Sequence, residues 1–484
     1  MTIHSPARHT PFTPRTVAAL TGILLVGAFL RLHALDSESA WLDEAFAIRI
    51  ARGGLDEIFL ETRLDVHPPL YYIVLSGWLA LTGGSVWSAR LLSVVFSLMT
   101  LVATHVVGTR LAGRTAGLAA ASLLAVSVFQ IEFAQEARMY AQLTLLATLS
   151  MYGFIRLFDR PHPGWFITYT VATSLMTWTH VYAAFIIAAQ ALVVGIDLLW
   201  RRRGALETTG CWIAAQSLVF AAFLWWLPVF TWQVSLVQTR FWIAEPPPFG
   251  FLTAFRTYAG SPALLRILLG LAALGLWRVS RPRAEASSPR PAWLFLLPWL
   301  AAPIAIPFAL SFVGSPIFLP KYTIAASVPF ALLAAAGIAA LPGAWLRLAV
   351  LTVTVIVSTT SLPRLYDVQT KDGWRQAVPI VERLAGPDDA VVVYPYFNTL
   401  AYDLYRQRTD LQVRAFPLFT APPPADGWSV TYSRATANRD RIWFVALRAD
   451  PTVEVAIEPL REHFDLVDEY LEQQIVIYHF VRRR

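Results

Sequence analysis

The sequence predicts a mostly α-helical, polytopic transmembrane bundle that is followed by a small C-terminal α/β domain. The chain has 484 residues, of which 56% are hydrophobic and only 15% are charged, whereas a soluble domain carries roughly 25% charged residues. Apolar runs of about 18 residues or more recur through the first three quarters of the chain, and about 20 such residues cross the hydrocarbon core of a bilayer. After residue 363 the sequence becomes charged and rich in turns and short β-type runs.

The apolar runs predict about 11 membrane spans. The first run, Thr16 to Leu35, follows a mildly basic start and lacks a small-residue cleavage site, which favours a retained anchor over a cleaved signal peptide. The predicted spans lie near residues 16–34, 90–108, 115–131, 140–158, 165–180, 182–199, 210–229, 262–279, 292–312, 323–341 and 344–362.

Basic residues between the spans predict the orientation of the bundle, because short cytoplasmic loops are enriched in lysine and arginine. If these groups are all cytoplasmic, the N-terminus is also cytoplasmic and the C-terminal domain is extracytoplasmic. The groups comprise Arg110 and Arg114; Arg156 and Arg160; Arg201, Arg202 and Arg203; and Arg278, Arg281, Arg283 and Arg290.

This orientation also decides how the apolar segment 68–82 is interpreted. The segment is shorter than a usual span, and counting it as one would move Arg110 and Arg114 to the outside. We therefore interpret it as a re-entrant or interfacial helix within a long outer loop, 36–89. The predicted domains are a transmembrane domain, 1–362, and an extracytoplasmic α/β domain, 363–484.

The C-terminal domain is predicted from alternating helical and β-type segments. The predicted strands are 390–396, 441–448 and 474–481, and the predicted helices are 374–385, interrupted by Pro379, and 452–464. Turns are predicted at 386–389 and 422–427.

Composition excludes several classes of function. The net charge of +7 comes with basic residues that sit between apolar runs, where they set topology rather than indicate a nucleic-acid partner. A single cysteine, Cys211, cannot form an internal disulfide or a thiolate metal site. The sequence contains no Walker A loop, dinucleotide fingerprint or HExxH zinc motif. A nucleotide-driven pump and a membrane metalloprotease are therefore not predicted.

Two candidate sites lie in the predicted outer loop. Asp43 and Glu44 are adjacent carboxylates at the membrane surface, where charge is costly unless it is used or solvated; alternatively, they cap a helix that runs to Gly53. His67 lies in the segment DVHPPLYY, 65–72. It could contact a phosphate or an acceptor, or it could be a surface turn residue before two prolines.

Three further candidates follow predicted spans on the same side. Glu136 and Arg138 in QEARMY could order a site, or Arg138 could be an interfacial anchor. Lys321, followed by Tyr322, could neutralise a lipid phosphate as a point charge or could snorkel to the interface. His180 could be a ligand or a packing histidine. A topology derived only from the basic loops thus places six of these candidates on the same, outer side of the membrane: Asp43, His67, Glu136, Arg138, His180 and Lys321.

The sequence resembles the GT-C superfamily of membrane glycosyltransferases, in particular glycosyltransferase family 39 with the bacterial relatives of protein O-mannosyltransferases and of the aminoarabinose and galacturonate transferases of lipid A. The resemblance covers nearly the whole chain and is most specific in the N-terminal third. It rests on WLDEAF (41–46), DVHPPLYY (65–72), ARLLSVVFS (89–97), the run 108–127, QEARMY (135–140), PIFLPKY (316–322) and DGWRQA (372–377).

The resemblance implies a polyprenyl-phosphate-linked sugar donor and inverting transfer to an envelope glycan, lipid or protein on the extracytoplasmic side of a bacterial-type inner membrane. Asp43 matches the acidic residue that such enzymes use as base or acceptor ligand, and Glu44 matches its partner. Glu136 and Arg138 match a second-loop motif. Lys321 replaces the arginine that is common before tyrosine, so it keeps the charge but loses the bidentate fork.

We accordingly expect Asp43 to take the acceptor proton and Lys321 and Arg138 to face the phosphate. No metal is expected to be required, although some relatives bind a divalent ion. The competing hypotheses are a transporter or flippase for lipid-linked saccharides and a non-catalytic envelope scaffold. A transporter would need polar residues within the spans, and the sequence has few.

Overall fold

The computed structural model describes residues 11–200, 204–240, 242–281, 290–367, 371–416, 436 and 439–483. Contacts between residues divide the chain into two compact units. The helical unit comprises Met1–His33, Gly54–Gly83 and Ser88–Leu365, and the α/β unit comprises Ala34–Gly53, Gly84–Trp87 and Tyr366–Arg484. Residues 201–203, Arg283 and the turn predicted at 422–427 lie outside the described residues.

The helices of the described residues are numbered along the chain. They are α1 (Pro14–Leu32), α2 (Leu42–Arg52), α3 (Leu55–Leu64), α4 (Leu70–Thr82), α5 (Val86–Ala112), α6 (Arg114–Ala125), α7 (Val128–Ala134), α8 (Tyr140–Asp159), α9 (Pro163–Thr177), α10 (Ala183–Leu199), α11 (Ala205–Phe223), α12 (Leu227–Arg240), α13 (Leu252–Ala259), α14 (Pro262–Ser280), α15 (Trp293–Leu310), α16 (Ser327–Ala340), α17 (Ala344–Thr359), α18 (Leu362–Asp367), α19 (Trp374–Leu384), α20 (Thr399–Tyr405) and α21 (Val453–His463). Short 3-10 segments are Leu224–Trp226, Pro320–Ala326 and Tyr396–Asn398.

Every predicted span coincides with helical structure, and the prediction of a polytopic helical bundle is confirmed. Among the described residues, 8 helices are long and apolar enough to cross a membrane, or up to 9 if a bent pair forms one span. The predicted number of spans is not confirmed, because α9 and α10 have only 15 and 17 residues. The segment interpreted as a short outer helix forms α4, which has 13 residues.

The third predicted span, 115–131, is broken into α6 and α7, which are bent by 62°. The last carbonyls of α6 have no partner within the helix, and in an apolar environment they need other donors. The buried guanidinium of Arg31 on α1 donates to Ala125 O at 2.9 Å and to Leu124 O at 3.1 Å. Ser358 Oγ on α17 donates to Val126 O at 2.9 Å. The carbonyl groups at the break therefore accept hydrogen bonds from side chains that are distant in sequence.

Small residues let α14 and α16 approach closely. A Cβ atom added to Gly275 would overlap the carbonyl oxygen of Leu333, and one added to Gly337 would overlap that of Leu271. Close backbone approach at small residues is a main way in which membrane helices associate. The segment that contains α16 is the most enclosed of the candidate spans, with 94% of its apolar window buried.

The α/β unit is built on a five-stranded sheet of order β2-β1-β3-β5-β4. The strands β2, β1 and β3 are parallel, and β5 and β4 are antiparallel to their neighbours. The strands are β1 (Ala390–Tyr394), β2 (Gln412–Ala415), β3 (Arg441–Leu447), β4 (Phe464–Glu472) and β5 (Ile475–Arg482). The predicted α/β fold and three predicted strands are confirmed.

The remaining differences concern the two edge strands of the sheet and the helices α19 and α20. The short strand β2, the strand β4 and the helix α20 were not predicted. Only 4 residues form β2, and most of β4 is exposed, so neither edge strand has a strong hydrophobic pattern. The helix α19 runs through Pro379, which was predicted to interrupt it.

Candidate functional site

The first candidate pair, Asp43 and Glu44, lies in the first turn of α2, within the α/β unit. The helix begins after Trp41 without a side-chain cap, and it ends at Gly53 as predicted. The two carboxylates thus open this helix, as the alternative interpretation expects, although neither of them is the cap residue. Asp43 is partly exposed, whereas Glu44 is fully buried, so the two adjacent carboxylates have different surroundings.

Glu44 is joined to the segment that precedes α19. Lys371 Nζ lies 3.1 Å from Glu44 Oε2, and the lysine side chain is 17% exposed. Nearby, Arg375 N donates to Ser39 Oγ at 3.1 Å. Ala45 belongs to the same buried cluster as Trp374. The sequence motifs WLDEAF and DGWRQA, far apart in the chain, are thus packed together in one unit.

A second group of residues, here the histidine–tyrosine cluster, lies in the helical unit. The rings of His67 and His180 are 4.8 Å apart, and the ring of Tyr322 lies 5.3 Å from that of His180. Tyr140 and Tyr182 complete the cluster, with ring centroids 6.2 and 5.4 Å from Tyr322. His67 precedes α4, Tyr140 begins α8, His180 and Tyr182 precede α10, and Tyr322 lies in the 3-10 segment Pro320–Ala326.

Two cations adjoin the histidine–tyrosine cluster. Lys321 Nζ lies 5.7 Å from the ring of Tyr322 and 5.8 Å from the ring of Tyr140. Arg138 is buried at the start of α8. Burial and the charges of Arg138 and Lys321 together hold the pKa of His67 well below its ordinary value. Burial, reinforced by the two cations, thus keeps this imidazole neutral, and the positive charge of the site stays on Arg138 and Lys321.

Arg138 is positioned by the segment 65–72. Its Nη1 donates to Tyr72 Oη at 3.3 Å, and Tyr72 Oη donates to Asp65 Oδ2 at 3.3 Å. Burial raises the pKa of Asp65, and the Arg138 charge opposes that rise. The carbonyl of Arg138 accepts a hydrogen bond from Ser93 Oγ on α5 at 3.4 Å. Glu136 is also buried, and its carbonyl accepts from Arg138 N at 2.8 Å.

An apolar groove of about 350 Å³ runs between α5 and α8. The groove starts about 8 Å along α8 from Tyr140 and extends to about 18 Å, at 1.5 Å per helical residue. On α5 the groove starts at Met99, which follows Ser93, the residue that contacts Arg138. It is lined by Met99, Val102, Ala103, Val106, Leu145, Leu149 and Tyr152. The groove therefore lies between α8, which begins just after Arg138, and α5, whose Ser93 contacts Arg138.

Sequence reasoning identified most of the residues in this arrangement but missed several residues that contact them. His67, His180 and Tyr322, which are candidates from three separate segments, meet in the histidine–tyrosine cluster, and Lys321 adjoins it. Lys371 was missed, although it directly precedes DGWRQA, a motif that carried the resemblance. Among the other residues that were missed are Asp65, Tyr72 and Tyr140, which lie inside the quoted motifs.

Metal ligands were also sought in the structure. Within the described ranges, no group of three or more histidine, cysteine, aspartate or glutamate side chains could hold a metal ion. The expectation that no metal is required stays a prediction.

Comparison with known proteins agrees with the fold. Residues 66–232 match the family model of the dolichyl-phosphate-mannose-protein mannosyltransferases. A search of curated proteins found no match. The matched region contains His67, Arg138, His180 and both walls of the apolar groove.

Solved structures resemble the chain over nearly its whole length. ArnT from Cupriavidus metallidurans is 16% identical in its apo state, with a TM-score of 0.62 and coverage of 96% of this chain and 97% of that chain. The same protein bound to undecaprenyl phosphate is 15% identical, with a TM-score of 0.62 and the same coverage. The archaeal oligosaccharyltransferase AglB from Archaeoglobus fulgidus, in complex with an inhibitory peptide and a dolichol-phosphate, is 12% identical, with a TM-score of 0.56 and coverage of 96% and 74%.

Proposed function

The chain has the GT-C fold and the family-model match of a membrane glycosyltransferase, as the sequence predicted, and on this premise we propose that it transfers a sugar from a polyprenyl-phosphate-linked donor to a cell-envelope acceptor. We propose further that transfer inverts the sugar and takes place on the extracytoplasmic side of a bacterial-type inner membrane. The acceptor is a glycan, a lipid or a protein.

One observation carries the proposal: the cations Arg138 and Lys321 stand beside the histidine–tyrosine cluster, and the apolar groove begins about 8 Å further along α8 from Tyr140. A polyprenyl phosphate has the complementary form, with an anionic head joined to a long apolar chain. Cations in a largely dehydrated site bind phosphate through charge-assisted hydrogen bonds. A groove with an apolar lining suits the isoprenoid chain.

The proposed chemistry is a single displacement. The acceptor hydroxyl oxygen forms a bond to the anomeric carbon while the bond from that carbon to the phosphate oxygen breaks. Polyprenyl phosphate leaves with the electron pair of that bond, and Arg138 and Lys321 stabilise the negative charge that it gains. Asp43 takes the proton from the acceptor hydroxyl as general base.

Glu44 has a positioning role in this proposal. Its buried carboxylate is paired with Lys371, which fixes the first turn of α2 and thereby the backbone that carries Asp43. This assigns the two adjacent carboxylates different tasks, in agreement with their different burial.

Transfer of radiolabelled sugar from polyprenyl-phosphate donors in membranes tests the proposal. We expect Asp43→Asn and Arg138→Gln to abolish transfer at matched expression. Asp56→Asn and Arg63→Gln are matched controls, since both side chains are exposed on α3, and they should transfer normally. Full transfer by Asp43→Asn would remove this residue from catalysis. Absence of transfer by the native chain from every donor would favour a transporter or a scaffold.

A further inference from the structure

The two histidines of the cluster carry buried polar atoms without partners. His67 Nδ1 and His180 Nε2 are both inaccessible and make no hydrogen bond to any residue that the structure describes. The side chains are 4% and 0% exposed. A buried polar atom that lacks a partner destabilises the folded protein, so two such atoms on rings whose centroids are 4.8 Å apart indicate a place that a ligand fills.

The hydrogen-bonding character of His180 follows from its second nitrogen. The backbone N–H of Tyr182 donates to His180 Nδ1 at 3.1 Å, so Nδ1 is an acceptor. In the neutral ring the proton is then on Nε2, which becomes a donor. A neutral His67 with its proton on Nε2 presents Nδ1 as an acceptor. The pair would then offer one donor and one acceptor at neighbouring positions.

We propose that His67 and His180 together bind a hydroxyl group of the donor's sugar and thereby make the site specific for the sugar-bearing lipid. This inference rests on the proposed function and adds the part of the donor that the two histidines recognise. A hydroxyl group is both donor and acceptor, so it can accept from His180 Nε2 and donate to His67 Nδ1. The sugar is joined directly to the phosphate, which places its hydroxyl groups next to the residues that surround Arg138 and Lys321.

The surrounding charges disfavour a metal cation at this position, and the hydrogen-bonding pattern of the two rings favours a hydroxyl group over a phosphate oxygen. Arg138 and Lys321 both act on His67 and His180, and they disfavour a metal cation between the rings. A phosphate oxygen only accepts hydrogen bonds, so it cannot satisfy an acceptor at His67 Nδ1. Phosphate is better bound by the two cations themselves.

Equilibrium binding to the purified full chain in lipid nanodiscs tests this proposal. The probes are undecaprenyl phosphate and its mannose, glucose and arabinose conjugates. His180→Phe and His67→Phe keep an aromatic ring for packing and remove the polar atoms. His180→Gln and His67→Asn place an amide near the position of the lost ring nitrogen and should restore part of the binding. His463→Gln, an exposed histidine at the end of α21, is the control.

We expect the native chain to bind one sugar conjugate more tightly than undecaprenyl phosphate. Each phenylalanine variant should reduce that preference about five- to tenfold, because one buried neutral hydrogen bond is lost, and leave binding of undecaprenyl phosphate unchanged. Equal weakening of all four lipids would overturn the proposal, since it would mean a phosphate contact. Unchanged binding of all four would also overturn it, since both histidines would then only pack.

The same experiment separates failure of this inference from failure of the proposed function. Undecaprenyl phosphate that does not bind the native chain, or that binds Arg138→Gln as tightly as the native chain, contradicts the polyprenyl-phosphate site itself. Loss of sugar preference with retained sensitivity to Arg138 supports both proposals.

Discussion

The contact between α14 and α16 allows a prediction whose magnitude comes directly from the structure. Gly275 on α14 faces α16, and an added Cβ atom would overlap the carbonyl of Leu333 and lie 2.8 Å from the nitrogen of Gly337. Gly270 is on the same helix, and an added Cβ atom there has no heavy atom within 4 Å. Gly275→Ala and Gly270→Ala are therefore identical in chemistry and differ only in what the new methyl group meets.

The difference between these two variants isolates the cost of the overlap. Both replacements gain the same helix propensity, about 1 kcal/mol relative to glycine. Overpacking a close contact costs about 1–3 kcal/mol, and the atoms that would be overlapped at Gly275 are backbone, which cannot rotate away. We expect Gly275→Ala to be less stable than Gly270→Ala by about 1–3 kcal/mol.

Equilibrium unfolding in mixed detergent micelles would measure this difference for the full chain. Gly337→Ala, on the opposite side of the contact, should behave like Gly275→Ala. If Gly275→Ala unfolds at the same denaturant concentration as Gly270→Ala, or at a higher one, the helices do not approach each other as described and the reasoning is refuted.

Three further predictions concern charged and titratable groups. His67 has a lowered pKa when folded and an ordinary value of about 6.5 when unfolded, so the unfolded state binds more protons below that pH. The contribution of His67 to stability should therefore fall by up to about 1.4 kcal/mol at pH 5.5 relative to pH 8. A smaller loss of stability in His67→Asn than in the native chain, measured by thermal unfolding at the two pH values, would confirm the sign. Lys371→Met should destabilise the α/β unit by up to about 3 kcal/mol, because it removes an ionic partner of a buried carboxylate. Glu44→Gln should cost less, because the Lys371 side chain that it leaves behind reaches solvent. Limited proteolysis that gives the reverse order of stability would contradict the ion pair. Lys321→Arg should bind undecaprenyl phosphate within about threefold of the native chain, whereas Lys321→Gln should lose about tenfold, and equal binding by both variants would exclude a charge role.

Local patterns in the sequence were sufficient to predict most of the helices and strands. Spans and central strands were predicted because burial in a bilayer or in a sheet requires continuous apolar residues, which can be read without knowledge of their neighbours. The edge strand β4 escaped this reasoning because most of its side chains are exposed. The break between α6 and α7 escaped it because the stabilising donors come from Arg31 and Ser358, in other parts of the chain.

The candidate site divides in the same way. The sequence by itself determined which polar residues are costly near a membrane, and so it identified Asp43, His67, Arg138 and Lys321 as candidates. Only the tertiary structure decided that Glu44 is paired with Lys371, which is 327 residues away, and that His67 and His180 have adjacent rings. The physical reason is that a side chain's chemistry is local, whereas its partner, its burial and its protonation depend on segments that meet only when the chain folds.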